Sequence, residues 1–424
     1  MKLSLKTILS YFVVSIIFSD ALTFLSFFSF ADFRVSYLMI GIFLLIILFS
    51  RRIAINKTFC IFMGIITLSS LYNIYIGKDT FLLLTKQVVG IAANALTFYS
   101  LMKFNDYNVE KLFKIYLNIA FLVALIGILQ EVSYLLGWKY GFDFHSFLPH
   151  WKVSLTNTAS LLRVNSIINE PADFCYVMMP ACFVSIASFT KIGHKFISRR
   201  KAAIIIVALL LTFSTVGYLG IILSFFLLVY NYGKLKPIIA ICILIFFFSV
   251  FVYQNIAETK TRVDDSLAVL TGNVNWQKIN LSSYAFFTNL IVACNSFKEN
   301  PLFGSGLGSH EVSYNRFIHN IIGQNGPYLD VNSSDANSLF LRLLSETGLF
   351  GILVLAFFII RFYVHKKKDL NGYLWIISSA ILSMFFIRGL RQGHYFVNGF
   401  FFFIWMYYFA KLNLKQLLDT QAGT

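Results

Sequence analysis

Guanidinium, carboxylate and imidazole groups gather in a few places of an otherwise apolar chain. Arg163-Val164-Asn165-Ser166-Ile167-Ile168-Asn169-Glu170-Pro171 joins a cation to an acid, and Arg388-Gly389-Leu390-Arg391-Gln392-Gly393-His394 joins two cations to an imidazole. A third stretch, Asp335-Ala336-Asn337-Ser338, is followed by Arg342 and Glu346 at i,i+4 spacing and closes on Gly348-Leu349-Phe350-Gly351. Arg presents a planar fork to oxyanions. Glu170, His394 and, behind them, Asp335 are groups able to take a proton from a hydroxyl. The run Asn300-Pro301-Leu302-Phe303-Gly304-Ser305-Gly306-Leu307-Gly308 either turns backbone N–H groups toward an anion or forms a tight turn.

Each of these groups also has a structural reading. Arg163 and one of Arg388 and Arg391 would serve as interfacial anchors, and Lys86 would snorkel to the surface from its helix. Arg342 and Glu346 suit a helix-internal ion pair. Glu170-Pro171 suits a helix start, with proline in the first turn and an acid favoured by the helix dipole. His394 would equally be a structural hydrogen-bonder.

The elements that must position these groups are membrane helices. The chain has 424 residues, of which 58% are hydrophobic, 18% aromatic and 13% charged, and its mean hydropathy is +0.73. A soluble domain carries about 25% charged residues. Apolar runs near the length of a membrane span recur throughout, which excludes a soluble enzyme, a disordered chain and a disulfide scaffold. The net charge of +16 carries no RNA-binding signature. Most of it lies in segments that the positive-inside rule assigns to the cytoplasm, so no nucleic acid partner is expected. The five cysteines show no CxxC pairing and suggest neither a disulfide framework nor a zinc site.

Apolar segments fall near 7–29, 35–50, 58–76, 80–101, 112–136, 170–190, 202–214, 216–231, 237–254, 337–360, 372–388 and 395–410. With the N-terminus inside, Lys103, Lys111, Arg199 and Arg200 fall inside, and splitting 202–231 at Ser214-Thr215-Val216-Gly217 brings Lys366–Lys368 inside as well. The expected fold is all-α: a polytopic integral membrane protein with about 12 transmembrane helices, a large external loop domain and both termini cytoplasmic. Residues 1–254 form a membrane domain of helices 1–9, with an external loop at 137–169. Residues 255–336 form a long external segment with an interfacial helix at about 282–298. Residues 337–424 hold helices 10–12 and a cytoplasmic tail. The ionisable residues of the spans, among them Asp20, Lys86, Glu131, Asp173, Arg342, Glu346 and Arg388, all fall in the outer half. One-sided charge suits a chamber open to the outer face better than the midplane site of a transporter.

The order and spacing of the three motifs around a long external loop resemble those of the bacterial O-antigen polymerase (Wzy-type) family, of the O-antigen polymerase/ligase superfamily. The resemblance is clearest over residues 163–351. It implies an inverting glycosyltransferase at the outer face of the bacterial inner membrane that moves a growing glycan from its polyprenyl-diphosphate carrier onto a new lipid-linked repeat unit. Neither a metal nor another cofactor is implied, and a chain-length regulator protein is a possible partner beside the lipid bilayer. On this reading Arg163, Arg388 and Arg391 meet the charge developing on the diphosphate. Glu170 and His394 serve the acceptor hydroxyl, and Lys86, Asp335, Asn337, Arg342 and Glu346 bind substrate. The ligases of the superfamily carry a His just before the helix that matches 337–360; Asp335-Ala336-Asn337-Ser338 has none, which favours polymerase. A ligase and a non-enzymatic lipid-linked oligosaccharide flippase are the alternatives.

Overall fold

A computed structural model describes the chain except residues 1–3, 29–30, 52, 147, 149–150, 152, 154, 159, 190–195, 233–252, 255–256, 324–329, 370–371 and 423–424. Among the described residues the protein is mostly helical, with two short two-stranded antiparallel sheets. The first half holds α1 (Leu5–Ser15), α2 (Val35–Phe49), α3 (Lys57–Tyr75), α4 (Phe81–Phe104), α5 (Val109–Leu135), the single turn α6 (Lys139–Phe142), α7 (Pro171–Ala187), α8 (Arg199–Leu210) and α9 (Thr215–Tyr232). The second holds α10 (Ala257–Leu270), α11 (Leu281–Glu299), α12 (His310–Ile322), α13 (Leu339–Glu346), α14 (Gly348–Phe362), α15 (Leu374–Arg391) and α16 (Phe400–Ala422).

Five of these, α3, α4, α5, α9 and α15, are long and apolar enough to cross a membrane. Shorter apolar helices cover Leu5–Phe18, Val35–Phe49, Pro171–Ala187 and Gly348–Phe362. Two expected spans differ from what is seen. The first, 7–29, ends its helical course at Phe18 and turns into a hairpin of β1 (Thr23–Phe28) and β2 (Ala31–Arg34). The break is fixed at Ser19, whose hydroxyl bonds back to the Ile16 carbonyl, and at Asp20, whose carboxylate accepts the distant Asn398 N–H. The span expected at 337–360 is divided at Thr347-Gly348 into α13 and α14, with Gly348 at φ +60. The span expected at 237–254 lies almost wholly outside the described residues.

α7 is the axis of the bundle, packed by α5, α8, α9 and α15, and every residue from Phe174 to Ala187 is buried. Its Pro180 lacks an N–H and interrupts the helical ladder. The Tyr116 hydroxyl of α5 enters beside the break, donating to the Val177 carbonyl at 2.6 Å and accepting the Ala181 N–H at 3.2 Å. In an apolar interior such groups have no water to turn to. α8 and α9 form a hairpin over the same helix: Thr212 at the turn meets Cys175, and Ser224 further along α9 meets Met179.

The two ends of the bundle differ in chemistry. At one, Lys6 pairs with Asp106 at 2.6 Å, Asn413 of α16 bonds the Tyr107 carbonyl, Lys411 bonds the Tyr363 carbonyl, and Lys366 lies over the Tyr232 ring. The first and last helices therefore reach the same end, and that end is lysine-rich. The other end carries the β-hairpin, α10 to α13 and the cavity described next.

The glycine run 304–308 is a close-approach strip. Gly304, Gly306 and Gly308 have φ of +67, +105 and +96. The Ser305 and Gly306 N–H groups donate to the Ser345 and Glu346 carbonyls, which the last turn of α13 leaves without helical partners. The Leu307 N–H goes to the Ser70 hydroxyl. These donors are consumed inside the fold and are not offered to an anion.

Candidate active site

A cavity of about 470 Å³ opens at the end of the bundle opposite the lysines. The N-terminus of α7 contributes Asn169, Glu170, Asp173 and Tyr176. The C-terminus of α15 and the non-helical segment after it contribute Arg391, Gln392, His394, Val397 and Asn398. Asp20 and Arg34 come from either side of the β-hairpin, Ser282 and Ala285 from α11, and Asn332, Ser334, Asp335 and Asn337 from the turn ahead of α13. Membrane helices and the 255–336 segment thus build one chamber together.

Local chemistry explains how each side chain is held. Pro171 occupies the first turn of α7, so Glu170 falls at the N-cap and Asp173 in the first turn, where the helix dipole favours acids. Gln392 donates to the Asp173 carboxylate at 2.7 Å and accepts the His394 N–H at 3.3 Å. Asp335 folds into an Asx turn, accepting the Asn337 N–H at 3.1 Å, with Ala336 and Asn337 both at φ +57. Such left-handed backbone at non-glycine residues is strained and persists only where the surroundings impose it. Here the Ser338 hydroxyl bonds the Gly389 carbonyl at 2.6 Å, and a Cβ at Gly393 would lie 1.4 Å from the Asp335 carbonyl oxygen. No residue but glycine fits there. The result brings His394 Nε2 to 3.7 Å from the Asp335 carboxylate. Burial, with the Arg342, Arg34 and Arg388 guanidiniums adding to it, pushes His394 down to about 4, while Asp335 pulls it up. The imidazole is therefore neutral near pH 7, with its acceptor nitrogen open to the chamber, and is a weaker base than a free imidazole.

Of the residues singled out from the sequence, Glu170, Arg391, His394, Asp335 and Asn337 line the cavity together. Arg342 and Arg388 stand behind its wall, fully buried, and reach backbone carbonyls of the 393–397 segment rather than the open space. Arg342 also pairs with Glu346 at 2.9 Å along one helix face. Arg163 does not line the cavity; it sits beside the α8–α9 hairpin, close enough to Cys175 and Tyr218 to act on them electrostatically. Lys86 is exposed on the outer face of α4, because the buried face of that helix runs through Leu84, Gln87, Ile91 and Asn94. Arg34, Gln392 and Asn398 were not foreseen, and Asp20 and Asp173 were seen only as buried acids. A usable signal for Arg34 was its place at the outer end of an apolar stretch, the level assigned to Asp20 and Arg388.

Fold and site define an integral membrane protein whose helix bundle carries a charged, amide-rich chamber at one end. Residues 202–357 match the family model Wzy_C, described as O-Antigen ligase, which supports the O-antigen polymerase/ligase superfamily of membrane glycosyltransferase and ligase-type enzymes. None of the curated proteins matches the chain.

Proposed function

We propose that the protein polymerises polyprenyl-diphosphate-linked oligosaccharide repeat units by an inverting glycosyl transfer at the outer face of the bacterial inner membrane. The observation that carries this reading is the chamber, which gathers two guanidiniums, an imidazole beside a carboxylate, and several amides at the end opposite the lysines. A lysine-rich end belongs inside by the positive-inside rule, so the chamber faces outward. The sugar hydroxyl of the acceptor loses its proton to His394, and Asp335 steadies the imidazolium that forms. The hydroxyl oxygen then attacks the anomeric carbon, and the bond from that carbon to the diphosphate breaks. The electron pair leaves on the polyprenyl diphosphate, where Arg391 and Arg34 meet the developing charge. Attack from the face opposite the leaving group inverts the anomeric centre. Asn332, Asn337, Asn398 and the carboxylates suit sugar hydroxyls, which both donate and accept.

The second reading is a ligase that joins finished glycan to another acceptor, favoured by the description of the matching family model. Deleting the gene and running one gel of surface glycan separates them. Single repeats on the normal acceptor support polymerase. Full-length chains left on the carrier lipid overturn it in favour of ligase, and loss of outward-facing lipid-linked units overturns both in favour of a flippase.

A further inference from the structure

We infer that Arg342 and Arg388 are positioning residues, two buried guanidiniums that lock the backbone of residues 393–397 and aim His394 into the chamber without touching the glycan carrier. The inference rests on the proposed role of His394 and deepens it. Arg342 is 0% and Arg388 1% exposed. Arg342 Nη1 donates to the Gly393 carbonyl at 3.2 Å. Arg388 Nη2 donates to the His394 carbonyl at 2.6 Å and to the Val397 carbonyl at 3.0 Å. Three carbonyls within five consecutive residues are therefore held by one terminal guanidinium nitrogen from each of two different helices, α13 and α15.

Each guanidinium also lies over an aromatic ring near that segment, Arg342 over Tyr395 and Arg388 over Phe400, with its central carbon 4.4 Å from the ring centroid in both. Charge-assisted bonds to carbonyls in a low-dielectric interior are strong and directional, and a short loop held at three points carries its imidazole on a fixed backbone, facing Asp335. A diphosphate in the chamber has no path to either group. Both are fully enclosed, and neither lines the open space.

The clamp has a second consequence through charge. The groups that act on His394 are Asp335 from the turn before α13, Arg34 ahead of α2, Arg342 on α13 and Arg388 on α15. Only Asp335 favours the imidazolium. Removing either buried cation therefore makes His394 easier to protonate, whereas exchanging Arg for Lys keeps the charge and removes the fork.

Detergent-purified full-length protein tests this in two ways. Diethyl pyrocarbonate modification of His394, followed by mass spectrometry across pH, reads its protonation without any glycosyl transfer. Polymerisation of carrier-linked repeat units extracted from the deletion strain reads kcat and KM. We expect Arg388→Met, which removes the weakest of the three cations acting on His394, to raise its modification midpoint by about a few tenths of a pH unit. Arg388→Lys should leave that midpoint near wild type while lowering kcat at least about tenfold with donor KM within about twofold. If Arg388→Met does not accumulate, Arg342→Lys carries the same expectation as Arg388→Lys. An unmoved midpoint in Arg388→Met, or a Lys variant that raises donor KM with kcat kept, overturns the inference. A shifted midpoint in a protein that makes no polymer leaves the clamp standing and removes the polymerase reading instead.

Discussion

Arg391 lines the chamber, and its bond to the Ser282 carbonyl occupies only one of its terminal nitrogens. A Lys at that place would keep the charge and lose the planar fork that matches phosphate oxygens. Losing such a contact in the transition state costs about 2–4 kcal/mol, or roughly 30- to 1,000-fold in rate. Arg391→Lys should therefore give short glycan at normal membrane abundance, and Arg163→Lys should give wild-type polymer length on the same gel. Asp79 poses a different problem at this scale. It lies between α3 and α4, one carboxylate oxygen accepts the Thr80 N–H at 2.7 Å, and the other is buried without a partner among the described residues. Burial pushes its carboxyl from 3.8 up to about 7, against the Thr80 bond and with Glu346 adding to the rise. Between those two pH values the folded chain holds a proton that the unfolded chain has released. Stability is thus fully present below about pH 3.8 and is lost as pH rises through 7. Asp79→Asn removes this dependence, so its melting temperature in detergent should exceed wild type at pH 8 and gain little at pH 4. An equal gain at both pH values would refute the assignment.

At the scale of elements, α7 shows how a broken helix is kept in an apolar bundle. Pro180 would leave the ladder open in the middle of the most buried helix, and the hydroxyl of Tyr116 fills the gap with two bonds. Tyr116→Phe removes both bonds beside the Pro180 break, at about 1–3 kcal/mol for each buried group left unpaired. We expect a clear drop in melting temperature and, because α7 carries Glu170 and Asp173 at its chamber end, a loss of activity that follows the loss of fold. Unchanged melting would show that the helix closes the gap by itself. The glycine strip works on the same principle, since its N–H groups cap the carbonyls at the end of α13. That contact fixes the helix from which Arg342 reaches the chamber wall. Sequence patterning marked the glycines at every second position without indicating what would approach them, and the proline within α7 shows its part only in the structure, where Tyr116 approaches it.

For the molecule as a whole, sidedness is the testable property. With the lysine-rich end inside, a cytoplasmic-side reporter fused near Asn325 should be inactive and one fused near Lys367 active; the reverse pattern would remove the outward-facing chamber and the reaction with it. Hydropathy and charge along the chain determined that this is a helical membrane protein, where most of its helices run, and that its ionisable groups favour one end. The motifs and the family resemblance marked Glu170, Asp335, Asn337, Arg391 and His394, which share the chamber, together with Arg163, Lys86, Arg342, Glu346 and Arg388, which do not line it. Which groups share a chamber was decided by packing alone. Asp20 meets Asn398 across almost the whole length of the chain, Gly393 fits against Asp335 only because no Cβ intervenes, and Arg342 and Arg388 turn away from the open space toward backbone carbonyls. Helix periodicity sets which face a residue occupies within a few turns, yet only the packing of α4 showed that Lys86, expected to bind substrate, lies on its exposed face. The contacts that close the chamber join residues tens to hundreds of positions apart, and they exist only once α1, α7, α11, α13 and α15 have been brought together.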